Sequence, residues 1–257
     1  MDLVGLIPAA GKGTRLSPLP CSKELFPVGF ARNSEQAESH PKVVSQYLLD
    51  LYKKAGAQQV YFILRDGKWD IPAYYGDGSQ LGHSIAYLMM NRLYGTPFSL
   101  DQAYPFVKDK QVLFGFPDIL VEPEDAFLQL LQKQTETQAD VVLGSFQIAP
   151  DQKWDVLETD ATGKVVAINQ RITDDTHKVG WALATWGPKF TAFMHDLLER
   201  EHEQMLRTGS FKELSVGHVL SAALSNGLQI QSVYFSAGRC QDIGTPENLR
   251  QAVRSLY

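Results

Sequence analysis

The chain has almost no cysteine, with only Cys21 and Cys240 among its 257 residues. That excludes a disulfide-stapled secreted scaffold. With no signal peptide ahead of Met1, the two thiols fit a reducing cytosol, so a cytoplasmic protein is expected. Each cysteine lies beside a motif singled out below, which leaves two readings: a regulatory thiol pair or two unpaired thiols. Long apolar runs are also missing. None approaches the ~18–20 residues of a membrane-spanning helix, so no membrane partner is expected. Basic charge is not in excess either, with 24 Lys and Arg against 29 Asp and Glu for a net charge of −5. That balance argues against nucleic acid as a general partner, while leaving room for a local basic site that binds a phosphorylated small molecule. Internal repeats and low-complexity tracts are absent. At this length one α/β domain over residues 1–257 is expected, with its oligomeric state, homo-oligomer included, left open.

What is present is concentrated at the start. Leu3 to Ile7 is an apolar stretch that reads as a buried parallel strand. It breaks into Pro8-Ala9-Ala10-Gly11-Lys12-Gly13-Thr14-Arg15-Leu16. Glycine lets the backbone take positive φ and approach a ligand with no Cβ in the way, and successive N–H groups in such a loop can face one anion. Cations follow at fixed offsets: Lys12, Arg15 and, beyond Pro18-Leu19-Pro20, Lys23. Many Gly-x-Gly pairs only shape a turn; a glycine loop at a strand end with cations close behind points to a nucleoside triphosphate. The loop is not a P-loop, which has four residues between its glycines and ends Gly-Lys-Ser/Thr. Nor is it the dinucleotide fingerprint, because Arg15-Leu16 stands where the third glycine belongs.

The longer pattern, Gly11-Lys12-Gly13-Thr14-Arg15-Leu16-Ser17-Pro18-Leu19 and then Ser22-Lys23-Glu24-Leu25-Phe26-Pro27-Val28, resembles that of the sugar-1-phosphate nucleotidyltransferases. These nucleotide-sugar pyrophosphorylases make UDP-, dTDP-, GDP- or ADP-sugars, and the motif style here is closest to the glucose-1-phosphate uridylyl- and thymidylyltransferases. The resemblance implies a three-layer αβα sandwich around a mostly parallel, doubly wound, Rossmann-like mixed sheet of the nucleotide-diphospho-sugar transferase type. It also implies that Ala10, Gly11, Gly13 and Thr14 bind the nucleotide and that Arg15 and Lys23 are catalytic.

Along the chain, Gly29 to Pro41 turns polar and reads as an exposed loop, with residues 30–41 an insertion relative to the family. Val43 to Ala55 carries helical spacing and Gly56 supplies its stop. Val60 to Leu64 and Ser84 to Met89 read as further strands, with the glycine-punctuated Tyr74 to Gly82 as the loop between them. Tyr94-Gly95-Thr96 matches the family loop whose backbone faces the base, so Gly95 and Thr96 join the nucleotide set. Met90 stands where uridylyl- and thymidylyl-transferring members often carry a base-reading glutamine. Gln111 to Phe116 reads as a strand, and Pro117 marks its exit. Asp118 then lies just past the strand's carboxyl end, where open α/β sheets bind ligands. Its plain alternative is a turn residue or helix cap; the resemblance makes it a metal ligand.

Asp125 to Lys133 reads as a helix and Val141 to Ile148 as a strand. Val156 to Thr159 and Lys164 to Ile168 flank Asp160-Ala161-Thr162-Gly163, a hairpin signal. In the family this hairpin leads to a Glu-Lys-Pro motif that grips the sugar phosphate and sugar. Asn169-Gln170-Arg171 stands there instead, so Arg171 and Lys178 are the candidate cations, joined by Gly180 from Val179-Gly180-Trp181, which resembles the family's sugar-lining strand. Trp186 is read as core. Pro188 to Leu206 and Leu214 to Ser225 read as helices, and Gln229 to Phe235 as a late strand. Gln241-Asp242-Ile243-Gly244-Thr245-Pro246 follows the family's closing motif almost letter for letter. Thr245 can cap a helix that Pro246 starts; Asp242 needs another reason, and a second metal carboxylate paired with Asp118 supplies one.

The reaction so implied joins a sugar-1-phosphate to the α-phosphorus of a nucleoside triphosphate and expels pyrophosphate. Mg²⁺ is the expected cofactor, since it takes oxygen ligands and usually keeps only one or two protein carboxylates. Two other classes stay open. One is a catalytically silent paralogue that binds nucleotide sugar as a regulatory subunit, which the altered Glu-Lys-Pro region favours. The other is a glycosyltransferase of similar fold, which would carry an Asp-x-Asp motif that this sequence does not contain.

Overall fold

Successive side chains along the central strands enter opposite cores. Leu6 goes one way and Ile7 the other; Val112 and Phe114 share a core with Leu6, whereas Leu113 joins Ile7. A strand has a side-chain period of two, so such alternation of apolar residues means a sheet covered on both faces. The computed structural model describes residues 1–32, 39–90, 94–148, 154–169 and 178–256.

The first half of the chain forms β1 (Leu3–Pro8), β2 (Pro27–Arg32), β3 (Ser39–Val43), α1 (Val44–Lys54), β4 (Gln59–Leu64), α2 (Asp70–Tyr75), β5 (Ser84–Met89), α3 (Thr96–Asp101), α4 (Tyr104–Val107), β6 (Gln111–Gly115) and β7 (Ile119–Glu122). The second half forms α5 (Ala126–Thr137), β8 (Val141–Ile148), β9 (Val156–Thr159), β10 (Val165–Asn169), β11 (Lys178–Trp186), α6 (Pro188–Thr208), α7 (Val216–Ser225), β12 (Ile230–Tyr234), β13 (Arg239–Asp242) and α8 (Pro246–Leu256). The main sheet runs β5-β4-β1-β6-β11-β8-β12, with the β9–β10 hairpin joined at β11. Pairing is parallel across β5, β4, β1 and β6 and between β8 and β12, and antiparallel where β11 meets β6 and β8. Helices α1, α2 and α5 cover one face, and α3, α4, α6 and α7 the other. This is the expected three-layer sandwich on a mostly parallel mixed sheet.

The packing that sets β1 in place is tight. Tyr52 of α1 is fully buried, and its hydroxyl donates to the Leu6 carbonyl at 2.7 Å. Its ring lies so close that a Cβ on Gly5 would meet Cδ2 at 2.5 Å. On the other face, His195 Nδ1 of α6 lies 3.0 and 3.2 Å from the Asp101 carboxylate oxygens, and Tyr104 stacks on the imidazole at 3.8 Å. That contact ties α3 to α6 and so fixes the Gly95-Thr96 corner from which α3 starts. Trp186 is buried and donates from Nε1 to Thr191 Oγ1 at 3.0 Å, the core role read for it.

The structure corrects several expectations. Residues at both ends of the polar 30–41 stretch are paired strands: β2 and β3 form an antiparallel ribbon in which Arg32 faces Ser39. Polarity alone suggested a loop because this ribbon has an exposed face, with Phe30 half exposed; residues 33–38 lie outside the described residues. The 74–82 loop contains the end of α2 and a single 3₁₀ turn at Ser79–Leu81. The helix read from Leu214 starts at Val216, because Ser215 Oγ accepts the His218 N–H at 3.1 Å and caps it. Short helices α3 and α4 and the strands β7 and β13 were not anticipated. None is longer than 6 residues, too few to display a period.

Candidate active site

The loop after β1 opens at the carboxyl edge of the parallel strands. Gly13 takes φ +65°, a conformation that favours glycine, and this lets the chain fold back so that Leu16 N–H bonds the Gly13 carbonyl at 3.1 Å. Across the cleft stands Gly95, at φ +111°, whose missing Cβ would overlap the Leu214 backbone. Only glycine lets these two segments touch, and the contact closes one side of a lobe of about 390 Å³. Ala10, Gly11, Gly13, Thr14, Gly95 and Thr96 all line this lobe, together with Lys12, Arg15 and Lys23. A second lobe of about 340 Å³ shares Ala10, Gly11, Arg15, Lys23 and Thr96 and continues to Asp118 and Asp242.

The two aspartates come together by a route the sequence hides. Asp118 follows β6 of the main sheet, but Asp242 ends β13, which pairs antiparallel with β7 in a separate two-stranded ribbon. In that register Asp242 sits opposite Ile119, and the Ile243 N–H donates to the Asp118 carbonyl at 3.0 Å. Lys23 reaches in from its 3₁₀ turn (Lys23–Leu25) and places Nζ 2.6 Å from Asp118 Oδ2. Arg15 and Asp242 meet over Gly244: a Cβ there would lie 2.8 Å from both Arg15 Nη2 and Asp242 Oδ1. Asp242 also accepts the Gly244 N–H at 2.5 Å. The end motif closes as expected at its cap, with Thr245 Oγ1 accepting the Asn248 N–H at 3.2 Å at the start of α8.

Electrostatics follow from this crowding. Burial raises the Asp242 carboxyl above the usual carboxylate range and the charge of Asp118 adds to the rise; the Gly244 N–H, Arg15 and Lys23 work against it. Burial would lower the Lys23 ammonium, but Asp118, Glu24 and Asp242 outweigh it and the ammonium is raised. Two neighbouring carboxylates that repel one another, Asp118 buried and Asp242 partly buried, suit a hard divalent cation with oxygen ligands. Asp118 and Asp242 therefore fit such an ion, with the Lys23 ammonium as the charge that now partners Asp118. Cys21 and Cys240 are free thiols, each pushed up chiefly by burial, which keeps them protonated and supports two unpaired thiols over a reactive pair.

The sugar-side expectations fare differently. Arg171 lies outside the described residues. Lys178 opens β11 opposite Ile148, with its side chain outside the described set. Gly180 is buried under Trp154, whose Cβ would be 3.3 Å from an added Cβ, and it does not line either lobe. The wall there is made of Phe116, Trp154, Trp181 and Val216, with Asp155 and Glu213 at its polar edge. Asp155 occupies the space a side chain at Gly217 would need, beside the first turn of α7. Trp154, Asp155 and Glu213 were missed because tertiary packing alone brings them to the cleft. The signals available were an isolated Trp-Asp just ahead of a hairpin strand and an acid two residues before a helix cap.

Comparison with known proteins covers nearly the whole chain. The family model for nucleotidyl transferases matches residues 4–257. Glucose-1-phosphate thymidylyltransferase of Streptomyces antibioticus is 23% identical over 252 residues, 98% of this chain and 65% of that protein. The low-salt glycan biosynthesis nucleotidyltransferase Agl11 of Haloferax volcanii is 23% identical over 251 residues, 96% of this chain and 64% of that protein. The chain thus spans just under two thirds of the length of these curated relatives. Among solved structures, UDP-glucose pyrophosphorylase complexed with UDP-glucose superposes with a TM-score of 0.78 at 14% identity, covering 100% of this chain and 99% of that one. Among the described residues no helix is long and apolar enough to cross a membrane.

Proposed function

The chain belongs to the nucleotidyl transferase family, and on that premise we propose that it is a Mg²⁺-dependent sugar-1-phosphate nucleotidyltransferase. The observation that carries this reading is the convergence of Arg15, Lys23, Asp118 and Asp242 on one cleft floored by the Gly11–Gly13 loop. In the reaction, a phosphate oxygen of the sugar-1-phosphate attacks the α-phosphorus of the nucleoside triphosphate. The bond from that phosphorus to the β-phosphate bridging oxygen breaks, and pyrophosphate leaves with the electron pair.

A phosphate oxygen is already nucleophilic near neutral pH, so the chain need supply no general base. The obstacles are repulsion between two polyanions and charge build-up, which positioning and fixed charge address. Arg15, exposed at the cleft mouth, is suited to fork onto the departing pyrophosphate oxygens. Lys23, held at 2.6 Å from Asp118, is suited to bridge the α-phosphate and the incoming sugar phosphate. Backbone donors of residues 10–14, with Gly95 and Thr96 opposite, hold the nucleotide before reaction. Asp118 and Asp242 would hold the divalent ion, which when bound neutralises phosphate charge. Arg171 and Lys178 are kept as the cations for the sugar phosphate, and the apolar wall of Trp154 and Trp181 as the sugar's platform.

The test is a screen of the five common triphosphates against several sugar-1-phosphates, reading pyrophosphate release with and without Mg²⁺. Release above background for at least one pair, abolished by chelation, is expected. No release with any pair would transfer support to the silent nucleotide-sugar-binding paralogue, the reading that the Asn169-Gln170-Arg171 segment favours.

A further inference from the structure

The three residues Ser22, Lys23 and Glu24 face two directions. Lys23 points into the cleft, whereas Ser22 and Glu24 on either side point back into the molecule, toward the segment that joins β4 to α2. The Ser22 N–H and Oγ donate to the two carboxylate oxygens of Asp70, at 2.6 and 2.7 Å. Glu24, with no exposed surface, accepts from Lys68 Nζ at 2.6 Å, and the Lys68 side chain is only 7% exposed. The Glu24 carbonyl takes the Ser45 hydroxyl at 2.6 Å, and Ser45 in turn bonds the Tyr75 hydroxyl at 2.7 Å. The turn is thus gripped from both flanks by side chains 44 to 48 positions further on.

A buried ion pair such as Lys68–Glu24 is a weak source of net stability. Desolvating two charges costs about as much as their attraction returns, and a well-packed apolar pair of the same volume serves folding as well or better. The pair is also incompletely satisfied: Glu24 Oε1 is buried with no protein hydrogen-bond partner among the described residues. What it does supply is direction, since an ammonium and a carboxylate at 2.6 Å fix where the turn sits. We propose that Lys68 and Asp70 are positioning residues for Lys23, clamping the Ser22–Glu24 turn so that the Lys23 ammonium is held in the cleft beside Asp118. This rests on the nucleotidyltransferase reading for its kinetic consequence, but the clamp itself is readable without turnover.

The variant to make is Glu24→Gln with Lys68→Met, which removes both charges together and leaves no unpaired buried ion. In the folded double variant, acylation of Lys23 by an amine-reactive reagent, read by mass spectrometry, should rise several-fold over wild type. Lys189, whose side chain is 65% exposed, serves as the internal reference and should not change. Pyrophosphate release should lose about 10–100-fold in kcat, the scale of a roughly 1 Å misplacement. In a Lys23→Ala background the same two changes should alter kcat by less than about 2-fold, because the group they position is gone. Unchanged Lys23 labelling, or a kcat loss that adds in full to that of Lys23→Ala, overturns the proposal. If the double variant does not fold, Asp70→Asn puts the same questions to the Ser22 flank. A wild-type protein inactive with every substrate pair would count against the proposed function, and the labelling result would still decide the clamp.

Discussion

At one end of the cleft stand Arg15, Lys23, Asp118 and Asp242; at the other stand Phe116, Trp154, Trp181 and Val216. The first end is a set of charges fixed by short contacts, such as Lys23 on Asp118 at 2.6 Å and Asp242 on the Gly244 N–H at 2.5 Å. The second is a wall of ring edges and aliphatic carbon, with Phe116 tilted against Trp181 at 5.9 Å. Phosphate chemistry dictates residue type and place, because moving an ammonium or a carboxylate by about 1 Å can cost on the order of 100-fold in rate. A wall that excludes water and packs on a sugar face can be made from many aromatic and aliphatic combinations. The charged end should therefore control the rate, and the aromatic end should control which sugar is accepted.

The largest effect that sharpens this contrast is Arg15→Ala, expected to lower kcat by about 10²–10³-fold in a folded protein. Arg15→Lys should not restore it, because an ammonium cannot form the bidentate fork. Steady-state pyrophosphate release by both variants checks this, and full activity in Arg15→Lys would break the assignment. The two buried tryptophans give the next comparison. Trp186 faces only core, so Trp186→Ala should cost about 3–5 kcal/mol in denaturant unfolding. Trp181 lines the cavity, and Trp181→Leu should raise the KM for sugar-1-phosphate while leaving the KM for triphosphate and the kcat within about 3-fold. Equal rises in both KM values would remove the division between the two ends.

A smaller effect concerns the cost of the charged end to the fold. The Asp242 carboxyl is raised above its ordinary value of 3.8 by burial and by Asp118, so proton binding favours the folded state. The stability this contributes is complete below the unfolded pKa and is lost as pH climbs through the folded one. In chelator at pH 7–8 the ionised group therefore opposes folding, and Asp242→Asn should melt at or above wild type. That advantage should shrink as pH falls toward 4. Thermal melts across the range decide the matter, and a variant less stable than wild type at pH 8 would make Asp242 an ordinary turn residue. The smallest effect is Thr245→Ala, which removes the α8 cap and should cost about 1 kcal/mol of stability, with kcat unchanged within about 2-fold.

The same contrast explains what was legible in the sequence. Gly13, Gly95, Arg15 and Lys23 stand in segments where each position has its own physical demand, so they could be picked out in advance and all line the cleft. The strands β1, β4, β6 and β8 were legible because both their faces are buried, which leaves continuous apolar runs, and the partly exposed edge strand β5 was legible from its own apolar run, Ile85 to Met89. The β7–β13 ribbon was not, since four-residue strands of mixed polarity carry no period, and yet it is this ribbon that brings Asp242 beside Asp118. Trp154, Asp155 and Glu213 carried only faint local signals for a related reason: they reach the cleft only when β11 and α7 pack beside them. Lys68 and Asp70 belong to no motif, and only the folded chain brings them to grip the turn that carries Lys23.

The central claim is that Asp118 and Asp242 act as one site for one divalent ion, and a double-mutant cycle addresses it most directly. Pyrophosphate release would be titrated with Mg²⁺ in Asp118→Asn, Asp242→Asn and the variant carrying both changes. A shared ion predicts that either single change shifts the Mg²⁺ midpoint upward, and that the combined loss falls well short of the sum, since the second change removes little that the first left intact. Additive losses, with an unshifted midpoint in Asp242→Asn, would contradict the shared site.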